Sequence, residues 1–118
     1  MPTITVESAV ADVHLERAFA RAVSTVLRHQ GVDVNHVITR FSDRPRVYSG
    51  PFPLDDCAFV TCVIGEHRGA DFRQRLAATV VAALSAAVPP ERIFIRFDLV
   101  DPTLHLIGTD VKEAPHAR

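Results

Sequence analysis

A strand, a helix and a second strand follow one another at the start of the chain, and this order constrains the fold more than any other feature. Apolar and polar residues alternate in "TITVE" (3–7), which predicts a half-buried strand. The next apolar residues recur at spacings of three and four, as in an amphipathic helix that Asp12 can cap and Gly31 can end. The segment "HVITRFS" (36–42) is predicted as the second strand.

The second half of the chain repeats this order. "CAFVTCVIG" (57–65) is apolar and β-rich enough for a central strand buried on both faces. A helix is predicted over Asp71–Val88, where two prolines follow, and "RIFIRFDL" (92–99) is the last clear strand. Between the two units, proline, glycine and charged residues predict a loop over 43–56, with a short hairpin strand around Val47 and Tyr48.

Two strand–helix–strand units predict one α+β domain over residues 1–118. Its core would be a duplicated βαβ unit: a four-stranded, mostly parallel or mixed sheet with both helices on one face. The other face of that sheet would stay uncovered although it carries Phe94 and half of the third strand. We therefore expect subunits to associate through this face in a closed ring.

The charge balance excludes some classes of partner. A formal net charge of -1 provides no basic field for nucleic acid or for an anionic membrane surface. The chain has no apolar run long enough to span a bilayer and no signal-like start, so we expect a cytoplasmic protein. Its basic residues are nearly all arginine, which suits recognition of a small carboxylate, although solvated surface arginines would give the same composition.

Nucleophile and metal chemistry find little support in the sequence. Cys57 and Cys62 fall on opposite faces of one predicted strand, so we expect buried free thiols rather than a disulfide. The only lysine, Lys112, lies in the tail, which argues against a Schiff base. The six histidines show no metal-type spacing, so no metal site is expected.

Pro2 allows two interpretations at this point. Proline is tolerated as the first residue of a strand, because the missing N–H costs no hydrogen bond there. Removal of Met1 would instead leave Pro2 with a free secondary amine. The residues around it do not decide between these roles.

Three stretches carry a resemblance to a known family. "MPTITVES", "DDCAFVTCVIGEHRGADFRQR" and "RIFIRFDLVDPTLHLIGTDV" together resemble the tautomerase superfamily, whose processed amino-terminal proline is the catalytic base. Within it, the chain looks most like 5-carboxymethyl-2-hydroxymuconate isomerase of aromatic degradation, and more distantly like macrophage migration inhibitory factor. It departs from the latter in having "GVDV" where a lysine usually follows the first helix, and Phe94 and Arg96 in place of tyrosine and asparagine.

The resemblance implies a function and an assembly. It implies a homotrimeric, cofactor-free keto–enol isomerase of a 2-hydroxymuconate-type acid, with Pro2 as the general base. Burial and a nearby arginine would lower the pKa of the proline amine, as a base at neutral pH requires. Arg40 is the expected catalytic partner, since an arginine is used on the second strand of the isomerase family. Both Arg40 and Arg96 are expected in central strands.

Substrate binding is assigned to further residues, each with a simpler alternative. Arg96 would hold a carboxylate, or it forms a salt bridge to an acid such as Asp98. Phe94 and Ile64 would be pocket walls by resemblance, or else core residues. Arg44 and Arg46 would close over the site from the loop, or else remain solvated.

Two other functions remain open from the sequence. A superfamily hydratase, dehalogenase or decarboxylase of a small unsaturated acid would need a carboxylate near Pro2 to activate water. Asp98, Asp101 or Asp110 could supply it. A trimeric binding protein that kept the fold without catalysis is the second alternative.

Overall fold

The structure of the chain is a computed structural model that describes residues 2–9, 11–42, 46–104, 106–108 and 110–111. Arg44, one of the predicted substrate-binding residues, lies outside this part of the chain. Each predicted strand and helix is present within it. The helices are α1 (Val13–His29) and α2 (Ala70–Leu84). The strands are β1 (Thr3–Glu7), β2 (Ile38–Ser42), β3 (Val47–Ser49), β4 (Phe52–Leu54), β5 (Ala58–Gly65), β6 (Ile93–Val100), β7 (Leu106–Ile107) and β8 (Asp110–Val111).

The main sheet has four strands in the order β2-β1-β5-β6. β1 is parallel to β2 and β5 is parallel to β6, whereas β1 and β5, which join the two units, are antiparallel. This arrangement confirms the mixed sheet built from two βαβ units. The loop between the units contains the expected hairpin, formed by β3 and β4.

Both helices pack against one face of the sheet. The residues of β1 and β5 on this face are fully buried, as are the apolar positions of the helices that contact them. The edge strand β2 contributes Phe41, which meets Phe19 of α1 edge to face with ring centroids 5.4 Å apart. The fully buried core residues include Ile4, Val6, Phe19, Val23, Leu27, Cys62, Ile64, Val80 and Leu84.

The ends of the helices follow the local sequence. The Asp12 carboxylate accepts a hydrogen bond from the Leu15 N–H at 2.9 Å and caps α1, and Gly31 leaves the helix with φ of 87°. α2 ends at Leu84 rather than at the predicted Val88. A helical Pro89 would have no N–H to donate and would clash with the carbonyl of Ser85, so residues 85–88 leave the helix in a turn.

The other face of the sheet, which we call the open face, is uncovered in the single chain. Aligned residues form three rows across the four strands from β2 to β6. They are Ile38–Thr3–Val63–Asp98, Arg40–Thr5–Thr61–Arg96 and Ser42–Glu7–Phe59–Phe94. The β5 residues in these rows are only half-buried, so the expectation that β5 is buried on both faces is wrong for the single chain.

Candidate active site

Pro2 lies immediately before β1 and is fully buried. Its carbonyl oxygen accepts a hydrogen bond from the Ile38 N–H at 3.0 Å, which ties the start of β1 to the start of β2. The pairing of Thr3 with Val63, extended by one position, places Pro2 opposite Ile64 of β5. The proline therefore has a structural role at the head of the sheet, where its missing N–H leaves no gap in the ladder.

Ile64 is completely buried and belongs to the core beneath the helices. It lies beside Pro2 in the sheet, and it does not line the open-face cavity of Phe94 and Arg96 or the cavity at the β3–β4 hairpin. Its predicted role as a pocket wall stays a prediction, and its packing role is established.

Arg40 and Arg96 lie on the two edge strands, β2 and β6, so the expectation of central strands is wrong. Strand order depends on long-range pairing, and here the strands that begin with Thr3 and Ala58 occupy the centre. Both arginines are exposed on the open face and share one row. Three strand spacings of about 4.8 Å separate them by roughly 14 Å.

Phe94 and Arg96 line one cavity on the open face, with a volume of about 270 Å³. Phe94 stacks on Phe59 with ring centroids 4.9 Å apart, which forms an apolar wall. Arg96 Nε donates to Asp98 Oδ1 at 2.8 Å, so the salt bridge weighed against a binding role is present. The exposed carboxylate of Glu7 lines the same cavity, and its place there could not be predicted because it depends on the register of three strands.

The open-face cavity is far from Pro2 of the same chain. Phe94 lies in the row of Glu7, five residues along β1 from Pro2, and two strands across the sheet. At about 3.3 Å per residue and about 4.8 Å per strand, the separation is roughly 19 Å. For Arg96 the same reasoning gives roughly 14 Å. One small acid cannot contact Pro2 and Phe94 of a single chain.

Arg46 lies at the β3–β4 hairpin, away from both Pro2 and the open-face cavity. It is exposed and lines a second cavity of about 200 Å³ with Tyr48, Asp55 and Cys57. Ala9, just beyond the far end of β1, borders this cavity too. Arg46 therefore does not meet Pro2 within the chain.

Arg68 is a cation near the Pro2 end of the sheet that the sequence interpretation missed. It follows β5 and precedes α2, and its Nη1 approaches the carbonyl of Gln30 at 3.5 Å. Its guanidinium also lies over the ring of Phe72, 4.9 Å from the centroid. Arg68 thus brings a positive charge to the end of α1, just before "GVDV" (31–34). The sequence signal that could have pointed to Arg68 is the arginine–glycine pair directly before α2.

Two of the three acids suggested for water activation have other partners in the described residues. Asp98 is paired with Arg96. Asp101 Oδ1 accepts hydrogen bonds from Thr103 N at 2.9 Å and from Thr103 Oγ1 at 2.8 Å, and these bonds lower the pKa of the Asp101 carboxyl. The side chain of Asp110 lies outside the description.

Both cysteines are free and buried, as predicted. Burial raises the pKa of the Cys62 thiol to about 12, and burial followed by the charge of Asp56 raises that of Cys57. Neither thiol is activated as a nucleophile. In the described part of the chain, no three His, Cys, Asp or Glu side chains form a group able to hold a metal ion. The helices found there are not long and apolar enough to cross a membrane.

No family model matches the chain, and no curated protein matches it in sequence. Solved structures do match it closely in fold. The protein N1, of the cis-3-chloroacrylic acid dehalogenase family, superimposes with a TM-score of 0.84 at 15% identity, covering 97% of this chain and 85% of N1. A fused 4-OT wild-type asymmetric trimer gives 0.78 at 14% identity, covering 93% and 95%.

A macrophage migration inhibitory factor of Toxoplasma gondii gives a TM-score of 0.72 at 21% identity, covering 92% of this chain and 97% of that one. What these proteins share with this chain is the arrangement of strands and helices. The duplicated βαβ sheet with both helices on one face is common to all of them. The chain therefore has the tautomerase fold.

Proposed function

We propose that the protein is a cofactor-independent keto–enol tautomerase that acts on a 2-hydroxymuconate-type unsaturated acid, such as 5-carboxymethyl-2-hydroxymuconate. The observation that carries this proposal is the placement of Pro2. It is buried at the head of a central strand, at the end of the sheet where Arg68 brings a cation to the end of α1. After removal of Met1, its nitrogen would be a rigid secondary amine at that end.

The site is completed by a neighbouring subunit. Within one chain the apolar wall of Phe59 and Phe94 is too far from Pro2 to share a small substrate, yet Phe94 keeps 42% of its surface exposed. A neighbour packed on the open face would cover Phe94 and could bring its own Pro2 to this cavity. A homotrimer supplies three such sites, and two solved structures with this fold are described as trimers.

The chemistry needs only proton transfer and anion binding. The Pro2 nitrogen takes the proton of the dienol hydroxyl, the oxygen becomes a carbonyl, and the conjugated electrons shift along the chain. The same proton is then returned to a distant carbon. Arg68 would hold a carboxylate beside Pro2, while Arg40, Arg96 or the loop residues Arg44 and Arg46 would stabilise the developing dienolate. Free thiols in the core suit a reducing compartment such as the cytoplasm.

A hydratase or dehalogenase is the second candidate, and Glu7 favours it. Its carboxylate lines the cavity with Phe94 and Arg96, where it could activate water for addition to a 3-haloacrylate. Release of halide from such a substrate would select this chemistry. Isomerisation of 2-hydroxymuconate without release of halide or carbon dioxide would select the tautomerase.

The experiment compares the purified protein with the Pro2→Ala variant and with Pro51→Ala, an exposed proline of the hairpin, as the control. Isomerisation of 2-hydroxymuconate is followed by absorbance, and proton exchange on several 2-oxo acids by NMR. Pro2→Ala should lower kcat/KM at least about 100-fold, the usual scale of a positioned general base, while Pro51→Ala leaves it unchanged. Equal activity of Pro2→Ala and the unmodified chain would refute the base. No turnover of any enolisable acid would favour a binding protein.

A further inference from the structure

We propose that His67 is a substrate-orienting residue that donates a hydrogen bond to an anionic oxygen of the acid bound at Pro2. This inference rests on the proposed function, because it assumes that the substrate meets the Pro2 nitrogen. It assigns a role to a histidine in the turn between β5 and α2 that the sequence interpretation left unused.

The first observation is the close packing of the His67 ring on Gly65. A methyl group built on Gly65 would lie 2.5 Å from Cε1 and 2.6 Å from Nδ1 of His67. Real contacts of this kind are not shorter than 3.0 Å, so the ring occupies the space that any other residue at position 65 would fill. Pro102 borders the same space at 3.4 Å. The imidazole therefore packs directly on Gly65, and a side chain at position 65 would displace it.

The second observation is the register between β1 and β5. Thr3 is paired with Val63, so Pro2 stands opposite Ile64, and Gly65 is the next residue of β5 beyond that pair. Once Met1 is removed, the Pro2 nitrogen is the end of the strand, so a substrate that reaches this nitrogen approaches β5 at the level of Gly65. Aligned Cα atoms of antiparallel strands are about 4.5 to 5.5 Å apart. An acid bound at the Pro2 nitrogen and the His67 ring packed on Gly65 would thus be about as far apart as two neighbouring strands.

Side-chain alternation along β5 places the His67 ring on the open face of the sheet. Ile64 points into the core, and Gly65 therefore presents its missing side chain to the open face, as Val63 does. His67 is exposed there, so a ligand can reach it. Its neighbour Arg68 is turned toward Gln30 and Phe72. The turn thus offers a cation on one side and an imidazole N–H on the other, and either can bind a carboxylate oxygen.

The test measures kcat and KM for 2-hydroxymuconate in four variants: His67→Ala, His67→Gln, Gly65→Ala and the double variant Gly65→Ala/His67→Ala. His14→Ala, an exposed histidine at the start of α1, is the control. We expect His67→Ala to raise KM about tenfold with kcat within twofold, the effect of losing one hydrogen bond to an anion at an exposed site. His67→Gln, which keeps an N–H donor, should recover most of this loss. His14→Ala should change neither constant.

Gly65→Ala makes the test sharper. Its methyl group must displace the ring, so the single variant should raise KM as His67→Ala does. In the double variant no ring remains to be displaced, and KM should match that of His67→Ala alone. Losses that multiply in the double variant would overturn the proposal, since they would show that position 65 acts through something other than His67.

A binding measurement covers the case of a variant that does not fold. In the unmodified protein, NMR of the imidazole nitrogens during titration with 2-hydroxymuconate should shift the His67 signals and leave those of His14 in place. An unchanged His67 signal at saturation, or a KM for His67→Ala within twofold of the unmodified protein, would overturn the inference. If Pro2→Ala still abolishes turnover in that case, the proposed function stands and only the role of His67 fails. Full activity of Pro2→Ala would refute both.

Discussion

Replacing Ile64 by alanine separates its two interpretations, as a core residue and as a pocket wall. The side chain is completely buried beneath the helices and adjoins Pro2 in the sheet. Removing three carbons costs about 0.8 kcal/mol each in lost burial, or about 2.4 kcal/mol. The remaining cavity adds about 1 kcal/mol, so we expect the free energy of unfolding to fall by about 3.5 kcal/mol.

The assay is urea unfolding at one fixed protein concentration, because the proposed association of subunits would make apparent stability depend on concentration. Leu104→Ala is the control, since 71% of Leu104 is exposed and the loss there should stay below about 0.5 kcal/mol. Kinetics are measured well below the unfolding temperature, where Ile64→Ala should keep KM within threefold. A loss under about 1 kcal/mol together with a tenfold rise in KM would refute the core assignment and restore the pocket wall.

Three further predictions follow from the packing and charges. Cys62 has a pKa of about 12, so at pH 8 only about one thiol in 10⁴ is ionised in the native protein. It should therefore react with a thiol reagent only after the protein is unfolded. Rapid labelling of the native protein, read by mass spectrometry, would contradict this. Asp12→Ala should lower stability by about 1 kcal/mol and Asp12→Asn by far less in thermal melts, whereas equal losses would show that the cap is not the cause. Phe94→Asp should reduce the sedimenting mass toward that of one subunit and Val13→Asp, on α1, should not; an unchanged mass for both would place the interface elsewhere.

Local patterns were enough to predict the elements of the fold. Alternation identified β1, and the three- and four-residue spacing with Asp12 and Gly31 identified α1 and its ends. The repeated order then restricted the sheet to two parallel pairs, which the structure confirms. The end of α2 was predicted four residues late, because a proline in a helix also disturbs the carbonyl four positions before it, which for Pro89 is that of Ser85.

The arrangement of the site could not be predicted in the same way. Whether Arg40 and Arg96 lie at the centre or at the edges depends on which strands pair across the two units, and no residue near either arginine encodes that choice. The cavity that joins Glu7 to Phe94 depends on the register of β1, β5 and β6 together. The position of Arg68 could not be predicted because its contact with Gln30 joins two turns that are distant in sequence.

The most direct test of the central claim asks whether the Pro2 nitrogen must be free. Protein from which Met1 has been removed is compared with protein that retains it, and intact mass establishes the fraction of each form. Retained Met1 turns the amine into an amide, which cannot accept the proton, while every other residue is unchanged. We predict that isomerisation of 2-hydroxymuconate rises in proportion to the processed fraction. Equal activity of the two forms would contradict the account.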